Sequence, residues 1–151
     1  MSTLYCPFRK VNIAAQPEEI VRQHLLQLMT ERLGFPSGHI VVEKALKQLP
    51  HMSLSDRKNL PDRRVDILVY KNDQDKGLVP LLLIECKAVP LKHTALQQVA
   101  GYNHYIGAHY ISAVNEKQVF MGWYNSKEGR YQTVDFLPTY EELCRSSTAL
   151  K

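Results

Sequence analysis

Two acidic residues and a lysine stand in parts of the sequence that are otherwise apolar. Glu85 and Lys87 follow directly on a run of apolar residues, and Asp66 interrupts another such run. Charges in these positions are costly unless they meet partners or open to a cleft. Because side chains alternate along a strand, Glu85 and Lys87 share one face while Cys86 points to the other. The pattern predicts a cluster of charges at the end of an apolar sheet.

These residue types suit a hard cation. If their two strands are neighbours, Asp66 and Glu85 converge, and carboxylate oxygens completed by water are the ligands that magnesium prefers. Such a cation acidifies a bound water and neutralises charge that develops on a phosphate, and the backbone carbonyl of Cys86 is available as a further ligand. The pattern therefore indicates a magnesium-like site.

Two structural explanations compete with a metal site. An acid-x-lysine triplet occurs by chance about once in a chain of this length, so Glu85 and Lys87 alone carry little. Asp66 and Lys87 could also form a buried ion pair that only fixes the register of the strands. That ion pair would leave Glu85, and the carboxylate of Glu18 on a preceding helix, without a purpose. We therefore favour the metal site.

The helix that precedes these strands carries two carboxylates. Apolar residues recur at helical spacing over 17–33, with Pro17 in the first turn and Gly34 at the C-terminal cap. At about 100° per residue, Glu18 falls near the middle of the apolar stripe and Glu19 at its edge. We therefore expect Glu18 to point inward, which is unusual for a carboxylate on such a helix.

The rest of the pattern predicts a sheet with one more helix inserted. The expected elements are strands at 40–46, 64–70 and 79–87, a loop at 50–62, a helix at 93–106, a strand pair at 110–114 and 118–123, a strand near 131–136 and a short helix at 140–144. The chain contains no repeat and no linker. The order of elements predicts one α/β domain over residues 1–151.

Composition narrows the class of protein. The 151 residues are 44% hydrophobic and 23% charged, as in an ordinary globular domain, and the net charge of +4 is compatible with a polyanionic partner. Three cysteines without a CxxC pair indicate neither a disulfide framework nor a zinc site. No apolar run reaches transmembrane length. We expect a cytoplasmic protein without membrane contact.

Four short motifs follow one another along the chain. They are PEEIVRQ at 17–23, RVDILVY at 64–70, IECKA at 84–88 and QVAGYN at 98–103. In this order they resemble the nuclease domain at the N-terminus of type I restriction enzyme R subunits, over about 17–123, with 124–151 as a C-terminal extension. The resemblance implies the PD-(D/E)xK superfamily: a restriction-endonuclease-like mixed sheet flanked by helices, with an αβββαβ core, and magnesium-dependent cleavage of DNA.

The resemblance also implies roles for individual residues. Asp66 and Glu85 become ligands of Mg²⁺, for which Mn²⁺ can substitute, and Lys87 becomes the catalytic lysine. Glu18 or Glu19 becomes the helix carboxylate, and the helical spacing favours Glu18. That carboxylate would hold a water outside the first coordination shell or a second ion.

Two further groups are implicated less directly. Gln98 and Tyr102 stand one helical turn apart and resemble the QxxxY pair of the family, which would hold water or a phosphate oxygen. Without the resemblance, Tyr102 would be a core residue and Gln98 a surface residue. A cluster of basic residues precedes the Asp66 strand and could contact phosphates irrespective of sequence, although such clusters are often only solvated: Arg57, Lys58, Arg63 and Arg64.

The R subunits continue into ATPase modules that this sequence does not contain. We therefore expect DNA cleavage without translocation, either by a free-standing nuclease or with a restriction-system or motor protein as partner, and a homodimer if both strands are cut. A remnant kept for another task is the remaining possibility. RNA stays open as a substrate. A non-catalytic nucleic-acid or protein-binding module with the nuclease fold is the main alternative. A hydrolase of small nucleotides is less favoured because the sequence has no Gly-rich phosphate loop.

Overall fold

A six-stranded mixed sheet forms the centre of the fold. The computed structural model describes residues 2–53 and 55–149, except for the side chains of 148 and 149. In chain order the helices and strands are β1 (Thr3–Cys6), β2 (Val11–Ala14), α1 (Pro17–Glu31), β3 (Ile40–Ala45), β4 (Arg64–Asp73), β5 (Gly77–Cys86), α2 (Ala95–Asn103), β6 (Tyr110–Val114), β7 (Val119–Asn125), β8 (Arg130–Val134) and α3 (Tyr140–Ala149).

The strands lie in the same order in the sheet as in the chain, from β3 to β8. All neighbouring strands are antiparallel except β5 and β6, which are parallel and are joined through α2, as a parallel pair requires. β1 and β2 form a separate hairpin. The succession α1, β3, β4, β5, α2, β6 confirms the predicted αβββαβ core, with a mixed sheet flanked by helices.

Apolar side chains pack on both faces of the sheet. Leu82 and Ile84 of β5 belong to the cluster that includes side chains of α1 and α3, whereas Leu83 belongs to the cluster with α2. All three are fully buried. A strand covered on both faces needs no polar alternation, which explains the continuous apolar run that precedes Glu85. Each such side chain contributes about 1.5–3 kcal/mol of burial.

Most predicted boundaries are close to the observed ones. α1 ends at Glu31 rather than at 33, and Gly34 then adopts a φ of 73°, while the N–H of Phe35 donates to the carbonyl of Met29. The loop at 50–62 contains a single helical turn, Asp56–Asn59, and residue 54 lies outside the described residues. The β1–β2 hairpin was not predicted, because its strands are only four residues long and have a single buried residue between them.

No helix in the described ranges combines the length and the apolar character that crossing a membrane requires.

Candidate active site

β4 and β5 bring Asp66 and Glu85 together at one end of the sheet. The antiparallel ladder ends at the pair Ile67↔Ile84, and the next residue on each strand is Asp66 or Glu85. Beyond that pair, Oδ2 of Asp66 accepts the backbone N–H of Cys86 at 2.8 Å. The predicted adjacency of the two strands is therefore confirmed, and the two carboxyls face each other across them.

The two carboxyls differ in their affinity for protons. Burial, and then the neighbouring charge of Asp66, raise the pKa of Glu85 to about 8. For Asp66, burial acts in the same direction, but the N–H of Cys86 and the guanidinium of Arg22 outweigh it and hold the pKa of Asp66 below its ordinary value. One acid that keeps its proton beside one that loses it is the arrangement expected of two neighbouring carboxyls that share a site.

The donor atoms at this point fit a hard cation. Within the described residues, Oε1 of Glu85 is buried and has no hydrogen-bond partner. No group of three or more His, Cys, Asp or Glu side chains is arranged to hold a metal in that same part of the chain. A cation bound by Asp66 and Glu85 would therefore complete its coordination with water and backbone oxygen, as magnesium does.

Lys87 continues β5 by one residue. Its backbone N–H donates to the carbonyl of Val114 at 2.8 Å, which extends the pairing of β5 with β6. Its side chain is half-buried and lines, together with Gln98, a pocket of about 200 Å³. Cys86 is buried in the apolar cluster that includes side chains of α1, as the alternation of side chains predicts. Lys87 and Gln98 therefore share one opening to solvent.

α2 places Tyr102 beside the acids. Tyr102 is 4% exposed, and its hydroxyl lacks a hydrogen-bond partner among the residues that the structure describes. Burial, followed by the charge of Glu85, raises the pKa of Tyr102 to about 12. The guanidinium of Arg63 lies over the ring, 4.0 Å from its centroid. Tyr102 is thus both a core residue and a neighbour of the site.

The four basic residues of the predicted cluster occupy different places. Arg63 and Lys87 are the positive charges that oppose the raised pKa of Glu85, so Arg63 lies at the site. Nη1 of Arg64 donates to the carbonyl of Glu43 on β3 at 2.9 Å. Arg57 and Lys58 lie on the helical turn Asp56–Asn59 within the loop.

The orientation predicted for the carboxylates of α1 is wrong. Glu18 is exposed, whereas Glu19 is buried and forms ion pairs with Arg9 and Arg22. The helical spacing considered only apolar residues and could not include the charged partners that make burial of Glu19 tolerable. Glu18 still lies near the site, because its charge adds to burial and to other acids in raising the pKa of the Cys86 thiol.

Two residues of the site were missed by the sequence analysis. Arg22 of α1 donates from Nη2 to Oδ1 of Asp66 at 2.7 Å and to Oε1 of Glu43 at 2.9 Å. Glu43 lies in β3 between Val42 and Lys44, which pair with the β4 residues on either side of Asp66. A signal existed for Glu43, since it is an acid within the apolar part of its strand, as Asp66 is in β4.

The mixed six-stranded sheet flanked by helices is consistent with a single domain of the restriction-endonuclease-like type. Residues 17–138 match the family described as type I restriction enzyme R protein N terminus, and the chain belongs to this family. The predicted resemblance is thus confirmed, and the match continues past residue 123 to include β8. The comparison with curated proteins found no match, and neither did the comparison with solved structures.

Proposed function

We propose that this protein is a metal-dependent endonuclease that hydrolyses DNA phosphodiester bonds. The observation that carries the proposal is that Asp66 and Glu85 lie side by side just past the last pair of the β4–β5 ladder. Lys87 lies two residues after Glu85. Membership of a restriction-enzyme family adds that the chain is nuclease-related. The catalytic activity and the metal are our inference from the chemistry of these residues.

The three residues have distinct parts in the proposed reaction. Magnesium, or manganese in its place, would be held by Asp66, Glu85 and the backbone carbonyl of Cys86, and when bound it supplies charge neutralisation and an acidified water. The side chain of Lys87 lines a pocket together with Gln98, and its charge acts on Glu85. Its ammonium group would orient the attacking water and offset the negative charge that grows on the phosphate.

Residues of the helices complete the proposed site. The hydroxyl of Tyr102 has no partner in residues 2–53 and 55–149, so it can donate to a water or a phosphate oxygen at no cost to the fold. Gln98 lines the same pocket as Lys87 and can bind the same phosphate. Glu18, at the exposed start of α1, would contact water or an ion at the rim.

DNA is the substrate that we propose, with RNA as the alternative to be tested. Arg63 lies over Tyr102 at the site, and its charge can attract a phosphate irrespective of base sequence. Arg64, Arg57 and Lys58 would extend this contact along the backbone. The family takes its name from an R protein of restriction enzymes, so a restriction-system partner is proposed, as are a homodimer for double-strand cleavage and a cytoplasmic location.

The test is cleavage of supercoiled plasmid and of single-stranded DNA with magnesium, manganese or chelator. We expect metal-dependent cutting by the wild type, no cutting by Lys87→Ala or Asp66→Ala, and full cutting by Lys127→Ala, which changes an exposed lysine after β7. Circular dichroism checks that each variant is folded. Lack of cutting by the wild type, or wild-type rates in folded Lys87→Ala, would overturn the proposal.

A second candidate function rests on the ion pair between Arg22 and Asp66. This pair neutralises Asp66 without any metal, as a non-catalytic module with the nuclease fold would require. Such a module would bind DNA equally well with metal ions and with chelator, and Glu85→Gln would not change its affinity for DNA. Gel-shift assays with and without chelator distinguish the two functions.

A further inference from the structure

We propose that Arg22 is a built-in counter-ion for the acids of the site, and that Glu43 controls how readily a divalent cation binds by sharing Arg22 with Asp66. This inference rests on the proposed metal-dependent function. It assigns positioning roles to two residues that do not themselves ligate the cation.

Three carboxyls stand in a row across three adjacent strands. The pairs Val42↔Ile67 and Lys44↔Val65 leave Glu43 of β3 opposite Asp66 of β4. On the other side of β4, Glu85 follows the last pair of the β4–β5 ladder and lies next to Asp66. Neighbouring strands are about 4.8 Å apart, so three acids in a row repel one another unless a positive charge lies among them.

Arg22 supplies that positive charge from α1. It is 5% exposed, and one of its nitrogens, Nη2, donates to both Asp66 and Glu43, at 2.7 and 2.9 Å. An Nη nitrogen carries two hydrogens, so each carboxyl accepts one. The other terminal nitrogen, Nη1, pairs with Glu19. The guanidinium is therefore bound to Asp66 and to two acids that are not proposed to ligate the cation.

Glu43 has a strained backbone. Its φ is 51°, in the left-handed region that residues other than glycine rarely adopt. The guanidinium of Arg64 binds its carbonyl at 2.9 Å, and that of Arg22 binds its carboxyl, so both ends of the residue are held. Such strain persists only where the surroundings impose it, and it is concentrated at functional sites.

A cation and Arg22 would compete for Asp66. A divalent cation held by Asp66 would repel the guanidinium, which donates to Oδ1 of the same carboxylate. Glu43 and Glu19 retain Arg22 when its contact with Asp66 weakens, while the N–H of Cys86 keeps Asp66 in place. Without the carboxylate of Glu43, Nη2 has Asp66 as its remaining charged acceptor, and Arg22 holds Asp66 more firmly.

The test is a double-mutant cycle read by calorimetric titration with Mn²⁺. We expect Glu43→Gln to weaken binding at least fivefold and Arg22→Gln to strengthen it. In the Arg22→Gln background, Glu43→Gln should change the affinity less than twofold, because its effect acts through Arg22. Glu128→Gln, an exposed acid in the turn before β8, is the matched control and should bind as the wild type does.

Each outcome bears on the inference. An unchanged affinity in Glu43→Gln overturns it, and so does an equal loss in both backgrounds, which would mean that Glu43 acts on the cation directly. If circular dichroism shows that Arg22→Gln is unfolded, Arg22→Lys replaces it, since one ammonium cannot bridge the same three acids. If the wild type binds no Mn²⁺, the proposed function fails together with this inference, whereas binding that is indifferent to Glu43 removes the inference alone.

Discussion

Tyr102 and Glu85 each bury a polar atom that has no hydrogen-bond partner within the described part of the chain. The two residues are close, since the charge of Glu85 is, after burial, the largest cause of the raised pKa of Tyr102. Buried polar atoms are nearly always paired in native proteins. Two neighbouring exceptions beside Asp66 indicate a place that water, a cation or a phosphate completes.

Tyr102→Phe tests this relationship. The hydroxyl makes no bond that the fold would lose, so the free energy of unfolding should stay constant or rise by about 1 kcal/mol, while the initial rate of plasmid nicking falls at least tenfold. Thermal melts and nicking assays give the two numbers. A variant that cuts normally would show that Tyr102 only fills the core.

Glu85→Gln should stabilise the metal-free protein more at pH 9 than at pH 6. Because the folded pKa of Glu85 is raised to about 8, the wild type loses stability as pH rises from the ordinary carboxyl range through 8. The uncharged amide escapes this loss, which reaches at most about 1.4 kcal/mol per pH unit. Denaturant melts at several pH values measure the difference, and a constant difference would contradict the assigned environment of Glu85.

Arg63→Ala and Lys58→Ala should differ in their effect on DNA binding. Arg63 lies over Tyr102 at the site, whereas Lys58 is on the helical turn Asp56–Asn59. Removing one phosphate contact lowers the slope of log affinity against log salt by about 1. We expect that change for Arg63→Ala, measured with catalytically blocked protein in chelator, and a smaller change for Lys58→Ala. If Lys58→Ala lowered the slope as much as Arg63→Ala does, the DNA would also contact the loop at 50–62.

His51 should make stability depend on pH away from the site. Its Nδ1 lies 2.6 Å from the hydroxyl of Tyr70 and its Nε2 lies 2.8 Å from the carbonyl of Ile106, so the neutral ring bridges β4 and the segment after α2. Burial lowers the pKa of His51. The stability that this neutral ring contributes is present above about pH 6.5 and is lost as pH falls below it.

The matched variant for that effect is His51→Gln. Since Glu85 titrates in the opposite sense over part of the range, the quantity to follow is the stability of the wild type minus that of His51→Gln. It should shrink between pH 6.5 and 5, by no more than about 1.4 kcal/mol per pH unit. A difference that is flat with pH would mean that the bridge tolerates a protonated ring.

The sequence allowed prediction of the acid pair because Asp66 and Glu85 break apolar runs, which is visible without knowledge of the fold. It did not reveal Arg22 or the true orientation of Glu19, because their burial depends on pairing with each other and with charged residues distant in sequence, namely Arg9, Glu43 and Asp66. Periodicity records which side chains avoid water and cannot record which charges neutralise one another. Glu43 follows the apolar start of β3, which is visible in the sequence, but its place opposite Asp66 and its left-handed φ are not.

The hydrogen bond from the Cys86 N–H to Asp66 also has a consequence for amide exchange. Lys87 donates its own N–H to Val114, so two successive amides past the last β4–β5 pair are held closed. In deuterated buffer both should exchange as slowly as the interior of β5. In Asp66→Ala the amide of Cys86 alone should exchange quickly while that of Lys87 stays protected, which makes this one proton a reporter of whether the Asp66 carboxylate is in place.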